Sequence, residues 1–395
     1  MKILFVHHGK GIGGAPLSLL YLIRGLDRAR FEPTVLCLHE SDAADLYRKE
    51  GIETIVREDI RDFSHTNVLW YPWWQLPKII SRAVHLPFAI DRAEKFLQKR
   101  SFDIVHLNTS TLLAFGIAAH RCGVKVVWHV REPIARGYFG LRRAFVRRIV
   151  DGNADRIIPI CKYDAGQLIP SPKITVVYNF VDFTQFDAGV SGTSVQRELG
   201  LERRRMVLML GGVNEIKGTL VFVRAARKVL NMRNDVSFVI AGPIPDANIR
   251  NRMNGSFSYL RRIKREIPKE LASSILLLGV RTDVPTLIAA SDVLCFPSTV
   301  PHFARPVIEA SAMGKPVIAS KLGGPEELVR DGLTGLLVQP SDPAALAEAI
   351  TKVLSDGEAA ARMGREGYLF ARENFDSVKN TERVLRIYEE LTAEK

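Results

Sequence analysis

At 395 residues the chain is longer than one hydrophobic core usually serves, so two domains are expected. Its 47% hydrophobic and 25% charged residues are ordinary for a soluble globular protein and exclude a disordered or fibrous one. A net charge of +12 admits phosphates, an anionic membrane face or nucleic acid as partners. Four scattered cysteines, with no CxxC pair or metal-ligand spacing, exclude a disulfide framework and point to a reducing compartment.

From Met1 the chain enters Ile3-Leu4-Phe5-Val6, too short an apolar run for a signal peptide and better read as a first buried strand. No run approaches the ~18–20 apolar residues of a membrane-spanning helix, so a cytoplasmic protein is expected. Further strands are predicted over residues 34–38, 54–56, 104–107, 124–128, 156–160 and 174–177. Helical patterns separate them, as where Leu19, Leu22, Ile23 and Leu26 follow i, i+3, i+4, i+7 spacing. That alternation implies right-handed βαβ units and a parallel sheet. The rhythm stops near Asp182 and restarts with strands at 206–210, 236–240, 275–278, 293–296, 316–319 and 335–338.

The expected architecture is α/β, with two doubly wound, Rossmann-like lobes facing a cleft. The N-terminal lobe spans 1–183, a polar linker 184–204 and the C-terminal lobe 205–375. A last helix at 376–395 is placed to pack back on the first lobe. An insertion at about 60–100 carries three of the four tryptophans. Ligands of such sheets bind at the carboxyl ends of strands.

The loop after the first strand reads Gly9-Lys10-Gly11-Ile12-Gly13-Gly14-Ala15-Pro16. Glycines let backbone N–H groups approach a phosphate, and the positive end of the following helix would face it. A tight structural turn explains the loop equally well. The pattern is not GxGxxG with an acid about 20 residues on, which disfavours a dehydrogenase-type dinucleotide site.

In the second half, the strand at 293–296 runs into Pro297-Ser298-Thr299-Val300-Pro301-His302-Phe303-Ala304-Arg305-Pro306, with Glu309 about one turn into a helix. The helix start offers free N–H groups to a diphosphate, and the carboxylate can accept both hydroxyls of a ribose. Gly314-Lys315-Pro316-Val317, Gly323-Gly324-Pro325-Glu326 and Asp331-Gly332-Leu333-Thr334-Gly335 follow.

This series resembles the donor-binding half of the family-four (group 1) retaining glycosyltransferases with the GT-B fold. Gly13-Gly14-Ala15 resembles that family's phosphate loop. Asp103-Ile104-Val105-His106 with Val126-Val127-Trp128-His129 resembles its acceptor-side strand pair. Asn179-Phe180-Val181-Asp182 resembles the motif before its linker, Lys217-Gly218 its Lys-Gly, and Gly279-Val280-Arg281-Thr282-Asp283 its base-binding turn.

The resemblance implies transfer of a sugar from a nucleotide diphosphate-sugar, bound by the second lobe, to a saccharide or lipid-linked acceptor on the first. Cell-surface polysaccharide or glycolipid synthesis is the implied setting. The nucleotide-sugar is a substrate, and neither a cofactor nor a metal is implied. His129, Lys217 and Glu309 would be the catalytic set: His129 at the donor sugar, Lys217 on the diphosphate and Glu309 on the ribose. Gly13, Gly14, Val280, Arg281, His302, Phe303, Ala304, Arg305 and Val307 would bind the donor, Val280 and Arg281 through backbone at the base. Read by itself, a histidine ending a buried strand is also a satisfied structural group.

Two positions depart from the family pattern. The first glutamate of Glu-x7-Glu falls on Pro301, and the usual arginine five residues before the lysine falls on Gly212. Either His302 or Arg305 holds the donor sugar instead, or turnover is impaired. A nucleotide-sugar-binding scaffold subunit and a sugar-nucleotide epimerase therefore remain as alternatives.

The insertion reads Trp70-Tyr71-Pro72-Trp73-Trp74, then Leu76, Ile79, Ile80 and Ala83 at helical spacing, with Lys78 and Arg82 interleaved. Such a segment suits peripheral contact with an anionic membrane, or else covers a sheet edge. Residues 121–148 hold eight basic residues against Glu132 alone. They lack an RNA-binding or helix-turn-helix pattern, so no nucleic-acid partner is expected.

Overall fold

The computed structural model describes residues 1–63, 76–248 and 255–393. The chain divides into two compact units, Met1–Phe180 with Ser377–Lys395, and Val181–Asp376.

The first unit is built on β1 (Lys2–His7), β2 (Glu32–Cys37), β3 (Glu53–Val56), β4 (Ile104–Leu107), β5 (Lys125–Val130) and β6 (Arg156–Pro159). All pair in parallel in the order β3-β2-β1-β4-β5-β6. Its helices are α1 (Gly14–Arg24), α2 (Asp42–Lys49), α3 (Leu76–Gln98), α4 (Leu113–Arg121), α5 (Leu141–Asn153) and the short α6 (Lys162–Ala165). The central strands are apolar on both faces because helices cover both. Leu4, Val6, Val105, Leu107, Val126 and Trp128 face one core with residues of α3, α4 and α5. Ile3, Phe5, Ile104 and Val127 face the other, with α1 and with Val384, Ile387, Tyr388 and Leu391 of the C-terminal helix. Strand alternation puts His106 and His129 on that second face.

Two expectations need correction. Residues 174–177 are not a seventh strand. Thr175 N donates to Ile157 O (3.0 Å) and Val177 N to Pro159 O (3.1 Å), but only an isolated bridge, Ile157↔Ile174, is formed. Pro159 has no N–H to return, so the ladder cannot continue. Residues 184–204, read as a linker from their polar composition, belong to the second unit. Phe186 and Val195 are buried there, and Glu198 pairs with Arg281.

That unit opens with α7 (Thr193–Glu198) and is built on β7 (Arg205–Leu210), β8 (Val236–Ala241), β9 (Ile275–Gly279), β10 (Val293–Phe296), β11 (Val317–Ser320) and β12 (Gly335–Val338). The order is β12-β11-β10-β7-β8-β9, again parallel. Its other helices are α8 (Thr219–Leu230), α9 (Ser256–Glu266), α10 (Val284–Ala290), α11 (Arg305–Ala312), α12 (Pro325–Leu328), α13 (Pro343–Ser355) and α14 (Gly357–Asn374). The C-terminal helix is α15 (Ser377–Ala393). Counted from its own first strand, each unit has the same topology, with first and fourth strands adjacent. The chain reverses its winding direction there, which opens a crevice at the carboxyl ends of those two strands.

In the insertion, the aromatic run 70–74 lies outside the described residues. The exposed stripe of α3 is Leu76, Ile80, Val84 and Phe88, one face at i, i+4 spacing. Ile79 instead packs against the core, and Arg82 pairs with Asp62 at 2.9 Å.

Candidate functional site

In the second unit the crevice lies between the loop after β7 and the loop after β10. Gly218, the N-cap of α8, has φ 79°, and a Cβ there would meet Pro297 O at 1.7 Å. Only glycine lets the two loops pack so closely. Thr299 N donates to Ile216 O (3.0 Å) and Thr299 Oγ1 to Glu215 O (2.9 Å), pinning one loop to the other.

Lys217 is held between them. Its Nζ donates to His302 Nε2 at 2.6 Å and stands 5.2 Å from the Phe296 ring centroid. Lysine has only donors, so His302 Nε2 is a lone pair and its proton sits on Nδ1, which donates to Val300 O at 2.9 Å. Burial lowers the Lys217 ammonium to about 8. Burial, and then Lys217 itself, lower His302 to about 3, against a small opposing effect of Val300 O. Among the described residues Lys217 has no salt bridge to a carboxylate. A half-buried cation resting on a neutral imidazole and a ring face is favoured by an anion as its counter-charge.

Phe303, Ala304 and Val307 are buried and anchor the start of α11. Arg305 Nε donates to Glu309 Oε1 at 2.7 Å. Burial raises the Glu309 carboxyl, while Arg305 pulls it back. The Nε of Arg305 is thus directed to Glu309, and its backbone N–H sits at the helix start. Arg281 is clasped by Glu198 and Asp283, and Val280 beside it is exposed. Ser298 and Ser320, at the ends of β10 and β11, each bury a hydroxyl with no hydrogen-bond partner among the described residues. Sequence reasoning did not single them out, although Ser298 stands in the quoted proline-serine pair.

Gly212 explains one departure. It has φ 69°, and a Cβ would lie 2.2 Å from Pro243 O. Gly212 N donates to Ala241 O (3.0 Å) and Val213 N to Pro243 O (2.9 Å). The loop after β8 fills the space in which an arginine would begin.

The first unit collects a polar cluster at the ends of β1, β4 and β5. His7, His106, Asn108, His129, Arg131, Asn179 and Tyr388 are all buried. Arg131 Nε donates to Asn108 Oδ1, Nη1 to Asn179 Oδ1 (2.6 Å) and Nη2 to His129 Nδ1 (3.3 Å). Asn108 Nδ2 donates to His7 Nδ1 (3.1 Å) and to Ala15 O (3.2 Å), tying the cluster to α1. Burial first, with Arg131 adding to it, holds His106 and His129 well below the usual histidine range. His7 is lowered by burial, then His8 and Arg131. Gly13 and Gly14 are exposed at the start of α1. Of this cluster, sequence reasoning singled out His129; His106 and Asn179 stood in quoted motifs, and Tyr388 was hidden at an apolar-spaced helix position.

Two Rossmann-like units with loops gathered at each winding reversal define a nucleotide-sugar-binding enzyme of the GT-B fold. The comparisons make this specific. The patterns described as Glycosyl transferases group 1 and Glycosyltransferase Family 4 match residues 193–370 and 12–185. The chain belongs to this glycosyltransferase family.

Among its relatives, the UDP-Gal:alpha-D-GlcNAc-diphosphoundecaprenol alpha-1,3-galactosyltransferase of Escherichia coli is 28% identical over 76% of this chain and 79% of its own. The lipopolysaccharide core biosynthesis mannosyltransferase LpsB of Rhizobium meliloti is 27% identical over 65% of this chain and 70% of its own. Anabaena HepE in complex with UDP superposes with a TM-score of 0.80 at 22% identity, covering 99% of this chain and 100% of that one. Among the described residues no helix is long and apolar enough to cross a membrane.

Proposed function

We propose that the chain transfers a sugar, with retention, from a nucleoside diphosphate-sugar held by its second unit to a saccharide or lipid-linked acceptor in cell-surface polysaccharide or glycolipid synthesis. Lys217 carries this reading: a cation at the winding reversal, facing a neutral partner. A donor diphosphate would supply its counter-charge, and Lys217 would then steady that diphosphate as it departs, a task a metal ion performs elsewhere. Glu309 would take the ribose through the carboxylate oxygen that Arg305 leaves free, and backbone at Val280 and Arg281 the base. With Lys217 on the diphosphate, His302 Nε2 becomes an acceptor for a sugar hydroxyl where Pro301 offers none. In the step itself the bond from sugar C1 to the diphosphate oxygen breaks, and a bond to the acceptor oxygen forms on the same face. The acceptor's proton passes to the departing diphosphate.

The relatives' names support a UDP-linked donor and a polyprenyl-diphosphate or polysaccharide acceptor. Peripheral contact with an anionic bilayer fits such an acceptor. It is supported by Phe139, 88% exposed at φ 55°, with the exposed Leu141 and Phe145 beside it and Arg136, Arg143, Arg147 and Arg148 around them.

The test is a panel of UDP-, GDP-, ADP- and TDP-sugars on the purified full chain, following melting temperature and nucleotide release with and without membrane extract. Extract-dependent release from one donor is expected. Binding without release under either condition would favour the scaffold reading, and release without any acceptor an epimerase.

A further inference from the structure

The buried cluster of the first unit fixes where its protons are. Arginine has no acceptor, so Arg131 Nη2, 3.3 Å from His129 Nδ1, must donate to it. That nitrogen is therefore a lone pair. His106 Nε2 lies 3.2 Å from the same Nδ1, and with that lone pair facing it the contact is a hydrogen bond, shared with Arg131, when the His106 proton is on Nε2. His106 Nδ1 then accepts, and Tyr388 OH, 2.6 Å away, supplies the hydrogen. The polarity of the series Tyr388–His106–His129 follows from the donor-only character of one guanidinium together with the His106–His129 hydrogen bond. Both imidazoles are neutral, because burial and Arg131 hold them so. His129 Nε2 makes no hydrogen bond among the described residues.

We propose that Tyr388 and His106, with Arg131, are positioning residues that hold His129 as its Nε2–H tautomer, leaving a neutral N–H donor for an oxygen of a bound substrate. What His129 touches rests on the function proposed above; its tautomer does not. The arrangement assigns His129 the role of a fixed hydrogen-bond donor through Nε2. Tyr388 reaches this site from α15, 282 residues beyond His106 in sequence. An orienting hydrogen bond of this kind keeps the reacting edge of the ring in one state before substrate arrives.

The experiment is two-bond nitrogen–proton correlation NMR on the full chain labelled with nitrogen-15 histidine, without substrate, His129 being assigned by its loss in His129→Ala. A protonated Nε2 and a bare Nδ1 are expected at neutral pH. An Nδ1–H tautomer or an imidazolium at His129 overturns the proposal. Tyr388→Phe should yield a tautomer mixture and lower kcat about tenfold with little change in donor KM. The loss should vanish in a His129→Ala background; an undiminished loss there means Tyr388 acts only on the fold and overturns the proposal. His106→Gln can accept from Tyr388 and donate to His129, so it should keep the tautomer, whereas His106→Leu should not. A chain with no transferase activity but the expected spectrum would sink the proposed function and leave the tautomer standing.

Discussion

The two units have one topology and use the same place in it for opposite ends. At the winding reversal of the first, the cation has its partners: Arg131 reaches two amide oxygens and an imidazole nitrogen, and the histidines are neutral. At the reversal of the second, Lys217 is pressed against His302, which can only share a lone pair. One cluster needs no added charge, and the other lacks a negative one. A fold of this kind fixes where chemistry sits, while the side chains decide whether the place supplies orientation or charge.

The sharpest way to break that contrast is Lys217→Ala. Turnover should fall by about 10²–10³, calorimetry should show weakened binding of nucleoside diphosphate, and the His129 tautomer should stay as it was. Unchanged nucleotide binding would remove the asymmetry between the units. Gly212→Arg comes next. Restoring the family's arginine should not raise activity, and chemical denaturation should show a loss on the order of 3 kcal/mol from strain and clash with Pro243.

Glu309→Gln should weaken nucleotide binding by about ten- to a hundredfold, as a charged hydrogen bond becomes a neutral one. Calorimetry against the same nucleotides reads this directly.

The pH dependence has a defined sign. An anion on Lys217 raises its pKa from about 8, so donor binding takes up a proton above that pH and affinity falls as pH rises through it. The ligand-free protein behaves in reverse. Its lysine is lowered relative to the unfolded chain, which therefore binds more protons between about 8 and the ordinary 10.5. The lysine's contribution to stability thus rises with pH across that window. Melting curves of the wild type and Lys217→Met at pH 8 and 10 would show the difference shrinking at the higher pH. The smallest effect belongs to the surface: Phe139→Ser with Leu141→Ser should weaken sedimentation with anionic liposomes about tenfold and leave nucleotide binding untouched.

Much of this was legible in the residues. All but one of the strands expected from apolar runs are present, because a sheet covered on both faces demands such runs. The exception, 174–177, fails at Pro159. Lys217, His302 and Glu309 share a unit and a loop system, as their motif order implied. The polar composition of 184–204 concealed Phe186 and Val195, which pack into the second unit, and no periodicity in six helical residues could announce that. The ion pair of Arg305 with Glu309 is an i, i+4 contact legible in hindsight, but the motif directed attention to the ligand each would hold. Gly212 marked a departure from the family in sequence. Only the approach of Pro243 shows that the departure is built into the backbone.

Tyr388 follows the whole of the second unit in the chain, yet belongs to the first. A ribosome making this protein releases the whole second unit before the tyrosine that completes the first. Until then His106 lacks its donor, and α1 and β1 lack the cover of Val384, Ile387 and Leu391. A growing chain could therefore fold its second unit before the first has all of its parts.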